Sequence, residues 1–446
     1  MKNSKYNFFA FTREGERIAY NAVTGSLAKI DDEHFNEYLL IEKGEETKSG
    51  LNPNRKKAVY QALKRGGFIY DDDALDEIDL ISFGYNKKKY SDDTLSLTIA
   101  STMDCNFNCY YCYEKKMNCS TKTYMNRNTE QYIIQFTDRF LKEKRDLNVT
   151  WYGGEPLLAA DTIYRLSGLL IDLCVKKQCG YQSNIITNGY FLDKTTVDRL
   201  VELKTEHVQI TIDGTKNVHD LRRFDIEKGS SFDIIMENIE YAKSFMKISI
   251  RINIDKQNSD HIEPFLNYLK DNHSAKNLNV YLGRVSDCNL DFPPEQMKLL
   301  FDSKEYFEKK LSIIKNSIMD ENTAVIGAYP SRMILPCGAV NVNTYAIDPE
   351  GYVYKCWETL GNKEEAIFHV SKPEIINKMH AKWINWDPKE DKECRDCQFL
   401  TLCNGGCVLS ATRGKKNCTY WRYHLQDMLA LLAYKHTFQA KGRKHE

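Results

Sequence analysis

The sequence predicts an α/β protein built on parallel strands: an open or partial barrel of six strand–helix units, rather than a closed eight-fold one, flanked by two unlike segments. Three observations carry this expectation. Between about 95 and 287, six β-rich runs alternate with helical segments, the pattern of parallel strands joined by helical crossovers. Residues 1 to about 90 instead read as short strands followed by helices, and residues 335–421 are crowded with cysteine. At 446 residues the chain is also long for one core and fits two or three domains.

In the first segment YNFFAF and RIAYNAV are short strands joined at a REGE turn, and SLAKI continues the sheet after a TG turn. DDEHFNEYLLIEKG opens on acidic capping residues and has helical periodicity. RKKAVYQALKRGGFIY is an amphipathic helix ended by paired glycines, followed by a short strand. These elements predict a small winged-helix-like domain over 1–90, with DDDALDEIDL as its boundary. The barrel, 91–290, draws its strands from LSLTIAST, VTWYGG, SNIITNG, VQITIDG, ISIRINID and LNVYLGRV. TEQYIIQFTDRFLKEK, DTIYRLSGLLIDLCVKK and SFDIIMENIEYAKSFM are helices between them. A helical bridge, 291–334, leads to the cysteine-rich region 335–446, which closes on the helix HLQDMLALLAYKH. Active sites of such folds lie at the carboxyl ends of the strands, and the first cysteine loop falls just after the first strand.

The 62 basic and 62 acidic side chains cancel, so general nucleic-acid binding has no supporting field. Neither a signal sequence nor a run of about eighteen apolar residues is present, so the expectation is a cytoplasmic protein without a membrane partner. In that reducing setting the fourteen cysteines are expected to serve as metal ligands or core residues rather than disulfides. Ten of them fall into two spaced groups, which points to metal.

Cys105, Cys109 and Cys112, in CNFNCYYC, form a C-x3-C-x2-C loop. Three thiolates on a four-iron cubane leave one iron without a protein ligand, open to a small molecule. Zinc sites usually close with four ligands, and Cys119 is the only nearby candidate for a fourth. With the aromatic Tyr111 directly before the third cysteine, the loop resembles that of the radical S-adenosylmethionine (SAM) enzymes. The resemblance implies a [4Fe–4S] cluster whose open iron is chelated by the amino and carboxylate groups of SAM. It also implies an external electron donor and cleavage of SAM to methionine and a 5′-deoxyadenosyl radical. Gly153, Gly154, Glu155 and Pro156 of WYGGEP resemble the element that holds the methionine amino group, the glycines allowing close backbone approach. Thr187 and Asn188 of TNG, with Thr211 and Asp213 of TIDG, stand where the family contacts the ribose and carboxylate regions. Arg223 and Arg251 are candidate forked donors to the SAM carboxylate. A turn or a surface ion pair is the plain alternative for each of these six.

The second group reads C-x13-G-x4-C, a gap, C-x2-C-x5-C-x3-C, a gap, and C, and resembles the SPASM domain of radical SAM enzymes that modify peptides and proteins. The resemblance implies two auxiliary [4Fe–4S] clusters, three clusters in all. Cys394, Cys397, Cys403 and Cys418 would close the outer one, and Cys337, Cys356 and Cys407 would hold the inner one. The fourth inner ligand stays open between Cys119, Cys288 and a substrate thiolate. A zinc ribbon pairing Cys394/Cys397 with Cys403/Cys407 would leave three cysteines idle. Cys174 and Cys179 read as buried small hydrophobes.

The N-terminal order of strands and helices, with YNAVTGSLAKI, resembles the peptide-recognition element of maturases of ribosomally made peptides. That element binds a leader peptide as an added strand on an exposed sheet edge. A DNA-binding winged helix is the alternative, and the acidic stretches DDEH and DDDALDE argue against it. Together the resemblances imply a maturase that crosslinks a ribosomally synthesised precursor peptide through a thioether or a carbon–carbon bond, for example between Lys and Trp. An anaerobic sulfatase-maturing, formylglycine-generating enzyme and a non-catalytic zinc adaptor are the rival expectations.

Overall fold

The computed structural model describes residues 1–12, 14–74, 76–114, 123–141, 145–273, 277–286, 292–318, 329–373 and 377–442. Cys119 and Cys288, both weighed above as ligands, lie outside the described residues.

The chain begins with β1 (Lys2–Asn3), β2 (Asn7–Phe11), β3 (Arg17–Asn21) and β4 (Leu27–Lys29), of which the last three form an antiparallel sheet in the order β2-β3-β4. Two helices follow, Asp32–Glu42 and Pro53–Arg65. Each starts at a side-chain cap: Asp31 accepts from the His34 amide at 2.8 Å, and Asn52 from the Arg55 amide at 2.9 Å. β5 (Ile69–Tyr70) returns to pair with β1. The acidic stretch DDDALDEIDL runs into a helix. Asp76 accepts from the Ile78 amide at 2.9 Å and caps Glu77–Lys89. That helix forms because Ile78, Ile81 and Tyr85 recur at helical spacing, and Ile78 and Ile81 pack on Phe8 and Tyr20 of the sheet. The same core takes in Leu425 and Leu429 of the terminal helix Trp421–Gly442, so the first and last segments of the chain share one apolar interior.

All six expected parallel strands are present: β6 (Thr94–Thr102), β7 (Asp146–Gly153), β8 (Tyr181–Thr187), β9 (Thr205–Thr211), β10 (Lys247–Ile254) and β11 (Leu278–Arg284). They pair in sequence order, each with the next, as right-twisted β–helix–β units do. The strands alternate; on β10, Ile248, Ile250, Ile252 and Ile254 are all buried against the helical layer. The helix Ala160–Lys177 answers with Ile163, Leu166, Leu170 and Cys174 at three- and four-residue spacing. Cys174 is therefore core, as expected, and Cys179 is partly buried against it.

The sheet runs further than the sequence indicates. β12 (Thr344–Ile347) joins the free edge of β6 as a seventh parallel strand, and β13 (Tyr352–Tyr354) and β14 (Phe368–His369) continue it antiparallel. The nine-stranded sheet thus carries the hairpin leading into Cys356 beside the strand leading into Cys105. Helices Pro294–Met297 and Ser303–Ile318 lie between the two cysteine regions. Among the described residues no helix is long and apolar enough to cross a membrane.

Candidate active site

The carboxyl ends of the parallel strands surround a cavity of 390 Å³ whose wall includes the side chains of Cys105, Cys109 and Cys112. The loop bearing them is fastened at several points. Phe107 is buried and meets Tyr190 edge-on at 5.9 Å between ring centroids. Asn106 donates to Asp225 at 2.7 Å and accepts from the Asn188 amide side chain at 2.8 Å. The Tyr111 hydroxyl donates to Asp213 at 2.6 Å and accepts from Arg223 at 2.8 Å, and the Tyr110 hydroxyl donates to Asp255.

The GGEP turn shapes the loop from below. Gly153 has φ +124°, and a Cβ there would collide with the Thr102 carbonyl; a Cβ on Gly154 would collide with the carbonyls of Met103 and Asp104. The glycines therefore let β7 press against the backbone that delivers Cys105, and both also border the cavity. Gly154→Ala is expected to push residues 103–105 aside at a cost of about 1–3 kcal/mol. The result should be a lower melting temperature and weaker deoxyadenosine release, measured by chromatography; unchanged release would separate the turn from the loop. Glu155 turns inward. It is fully buried and accepts from the amides of Leu157 and Asn188 at 2.9 and 2.7 Å and from the Thr187 hydroxyl at 2.7 Å. Burial raises its pKa, and those three donors oppose the rise. Its observed role is to tie the ends of β7 and β8, and Pro156 opens the short turn beyond it.

Of the other expected SAM contacts, Tyr111, Thr187, Asn188, Thr211, Arg223 and Arg251 border the cavity. Asp213 does not; it is wholly buried beneath the loop. Arg223 is 8% exposed, and its Nε has no hydrogen-bond partner, which leaves donor capacity in the wall. Arg251 donates to Asn253 at 2.8 Å. The sequence reading missed Arg222, which sits beside Arg223 and is clamped by Asp213 and Asp255. It also missed Trp357 and Glu358, although they directly follow a singled-out cysteine. Trp357 lies 6.1 Å from Tyr152 between ring centroids, and Tyr152 hydrogen-bonds Tyr113.

The remaining seven cysteines separate into two sites. Cys337, Cys356 and Cys407 border a cavity of 430 Å³ that Cys403 also reaches, and Cys394, Cys397, Cys403 and Cys418 border a smaller one. Cys407 borders only the first of these cavities although just three residues separate it from Cys403, and those three, Asn404, Gly405 and Gly406, all adopt left-handed backbone, at φ 45°, 85° and 74°. Trp357 and Glu358 border both the 430 Å³ cavity and the 390 Å³ cavity, so the two sites adjoin at that segment.

Iron–sulfur clusters fit these sites. None of the twelve described cysteines is in a disulfide. Burial raises the Cys105, Cys356 and Cys403 thiols, and neighbouring thiols raise them further. Such groups ionise together only around strongly positive metal. The thiols of all three sites line cavities. Cys105, Cys109 and Cys112 would hold a cluster one ligand short.

Residues 99–269 match the radical SAM superfamily. The chain is 24% identical over 354 residues to a cysteine-type anaerobic sulfatase-maturating enzyme of Clostridium novyi, covering 70% of this chain and 88% of that protein. Among solved structures it resembles native anSMEcpe with bound AdoMet at a TM-score of 0.61 and 18% identity, over 77% of this chain and 100% of that one. It also resembles Streptococcus suis SuiB bound to precursor peptide SuiA, at a TM-score of 0.52 and 16% identity, over 93% of this chain and 97% of that one. The likenesses share the parallel-strand fold described above, and the family match overturns the expectation of a non-catalytic zinc adaptor. With its three-cysteine loop at the carboxyl ends of those strands, the stretch 99–269 is a radical SAM domain.

Proposed function

We propose that this enzyme crosslinks a ribosomally synthesised precursor peptide, with the leader bound at its N-terminal sheet and two auxiliary [4Fe–4S] clusters beyond the radical site. The observation that carries the reading is the outer edge of β4, with which no strand pairs among the described residues. The opposite edge of that sheet is covered: Gln398 donates to the Asn7 carbonyl at 2.6 Å, and Phe399 packs on Phe8. On β4 the bonds Asn21 N to Ser26 O and Ile30 N to Arg17 O, both 3.0 Å, set the alternation. Residues 26, 28 and 30 face β3, so the backbone groups of Leu27 and Lys29 point outward. An extended peptide can pair there as an added strand. The likeness to SuiB, crystallised with a precursor peptide, spans 93% of this chain and so takes in more than the sulfatase-maturase likeness at 77%.

A cluster on the first loop with bound SAM supplies hydrogen abstraction from an unactivated carbon. The chain's own residues do the rest. Tyr111, Thr187, Thr211, Arg223 and Arg251 line the cavity and would hold SAM there, the arginines as donors to its carboxylate. Tyr152 and Trp357 border the cavity where it adjoins the inner cysteines, an arrangement suited to joining two side chains. Cys337, Cys356 and Cys407 would hold an inner auxiliary cluster, and Cys394, Cys397, Cys403 and Cys418 an outer one. The product is a thioether or a carbon–carbon bond. An external donor delivers the electron.

Removing residues 1–90 would strip Phe8, Tyr20 and Ile81 from a core shared with Leu425 and Leu429, so a point change tests the reading more cleanly. Lys29→Pro removes an outward amide without touching the β3–β4 ladder. It is expected to raise KM for a co-expressed candidate precursor about tenfold, the order of one lost hydrogen bond, and to leave peptide-independent SAM cleavage unchanged. Mass spectrometry would show the crosslink as one hydrogen lost from each joined atom. An unaltered KM would remove β4 as the leader edge, and formylglycine as the product would replace crosslinking with sulfatase maturation.

A further inference from the structure

We propose that Lys355 is the counter-charge of the inner cysteine site and raises the reduction potential of the cluster held by Cys337, Cys356 and Cys407. The inference rests on the auxiliary-cluster reading above. Lys355 follows β13 directly and is 3% exposed. Its ammonium donates to the carbonyls of Asn341 and Thr344 at 2.6 and 2.7 Å and stands 4.8 Å from the centre of the Tyr345 ring. Among the described residues no carboxylate pairs with it. The other deeply buried lysines differ in this respect: Lys243 meets Glu240 at 2.7 Å, and Lys89 feels the charge of Asp387.

An ammonium taken out of water costs more than two neutral carbonyls and a ring face return. The balancing negative charge has to come from the cavity that Lys355 borders. It borders the 430 Å³ cavity together with Cys337, Cys356, Cys407 and Glu358. Packing alone gives no reason for a cation there, since Val340, Trp383, Val408 and Leu409 form the adjoining core. Thiolate-ligated clusters are anionic, and their potentials respond to net charge and to hydrogen bonds on sulfur. A fixed positive charge favours the form carrying one more electron. Reduction adds that electron from the external donor and breaks no bond.

The test compares anaerobically prepared holoenzyme with Lys355→Met and Lys355→Arg, by iron content and by dithionite titration followed with electron paramagnetic resonance. Lys355→Met is expected to retain its iron while one auxiliary signal becomes harder to reduce by at least tenfold in equilibrium constant, about 59 mV for one electron. Lys355→Arg should stay at the wild-type potential. Retained iron with an unmoved signal in Lys355→Met overturns the role of Lys355 alone. If Lys355→Met loses the inner irons, retention in Lys355→Arg supports the charge, and loss in both overturns it. Wild-type enzyme holding only the irons of the first loop overturns the auxiliary-cluster reading and this inference with it.

Discussion

Replacing Cys105, Cys109 and Cys112 together by Ala is expected to lower 5′-deoxyadenosine release by more than about a thousandfold, the order seen when a group acting as an indispensable unit is removed. The argument is geometric. The three thiols border one cavity at the ends of the parallel strands, and no other cysteine among the described residues borders it. The auxiliary thiols border two other cavities, so the substitution should leave their iron in place and the protein brown. Phe107, Asn106, Tyr110 and Tyr111 anchor the loop, so the variant should fold and melt near the wild-type temperature. Iron analysis and chromatographic measurement of deoxyadenosine check both halves. Persistent SAM cleavage would remove the assigned radical site, and complete loss of iron would show that the three sites are not independent.

Much of this was legible in the sequence because the signals were long or repeated. β10, read from ISIRINID, carries period-two burial over eight residues and LSLTIAST is a nearly continuous buried run, and both stand out against neighbouring helices. Cysteine spacing likewise separated the first loop from the later seven. What escaped was short or depended on distant partners. β12 has four residues, too few to show a period, yet it extends the sheet and sets the inner cysteine site beside the first strand. The helix Glu77–Lys89 hid in an acidic run because Asp76 is a cap rather than a linker residue. Asp213 reads as a ligand contact from its place in TIDG, but its carboxylate is claimed by Tyr111 and by Arg222, a residue distinguished from Arg223 only by the direction of its side chain. Direction of that kind is fixed by tertiary packing and leaves no mark in a dipeptide.

That packing makes Arg222 the residue whose loss should weaken the fold most. Its guanidinium is 6% exposed and lies between two carboxylates that are fully buried. Nε reaches Asp213 at 3.2 Å, while Nη1 and Nη2 grip both oxygens of Asp255 at 3.1 and 2.9 Å. Each carboxylate in turn receives a tyrosine hydroxyl from the cysteine loop, Tyr111 on Asp213 and Tyr110 on Asp255. Arg222→Met keeps most of the side-chain volume but leaves buried negative charge without its cation, at an expected cost of about 3–5 kcal/mol. For a domain of this size that corresponds to a melting temperature lower by roughly 10 °C. The loop should suffer before the fold does, because Tyr110 and Tyr111 flank Cys109 and Cys112 and lose their anchor together. KM for SAM is therefore expected to rise in protein that is still folded at assay temperature. Asp255→Asn separates the two effects. It removes one of the charges that Arg222 balances, so combining it with Arg222→Met should cost less than the sum of the single changes. Strict additivity in that cycle would mean that Arg222 and Asp255 act independently, and the triad would not be what holds the cysteine loop.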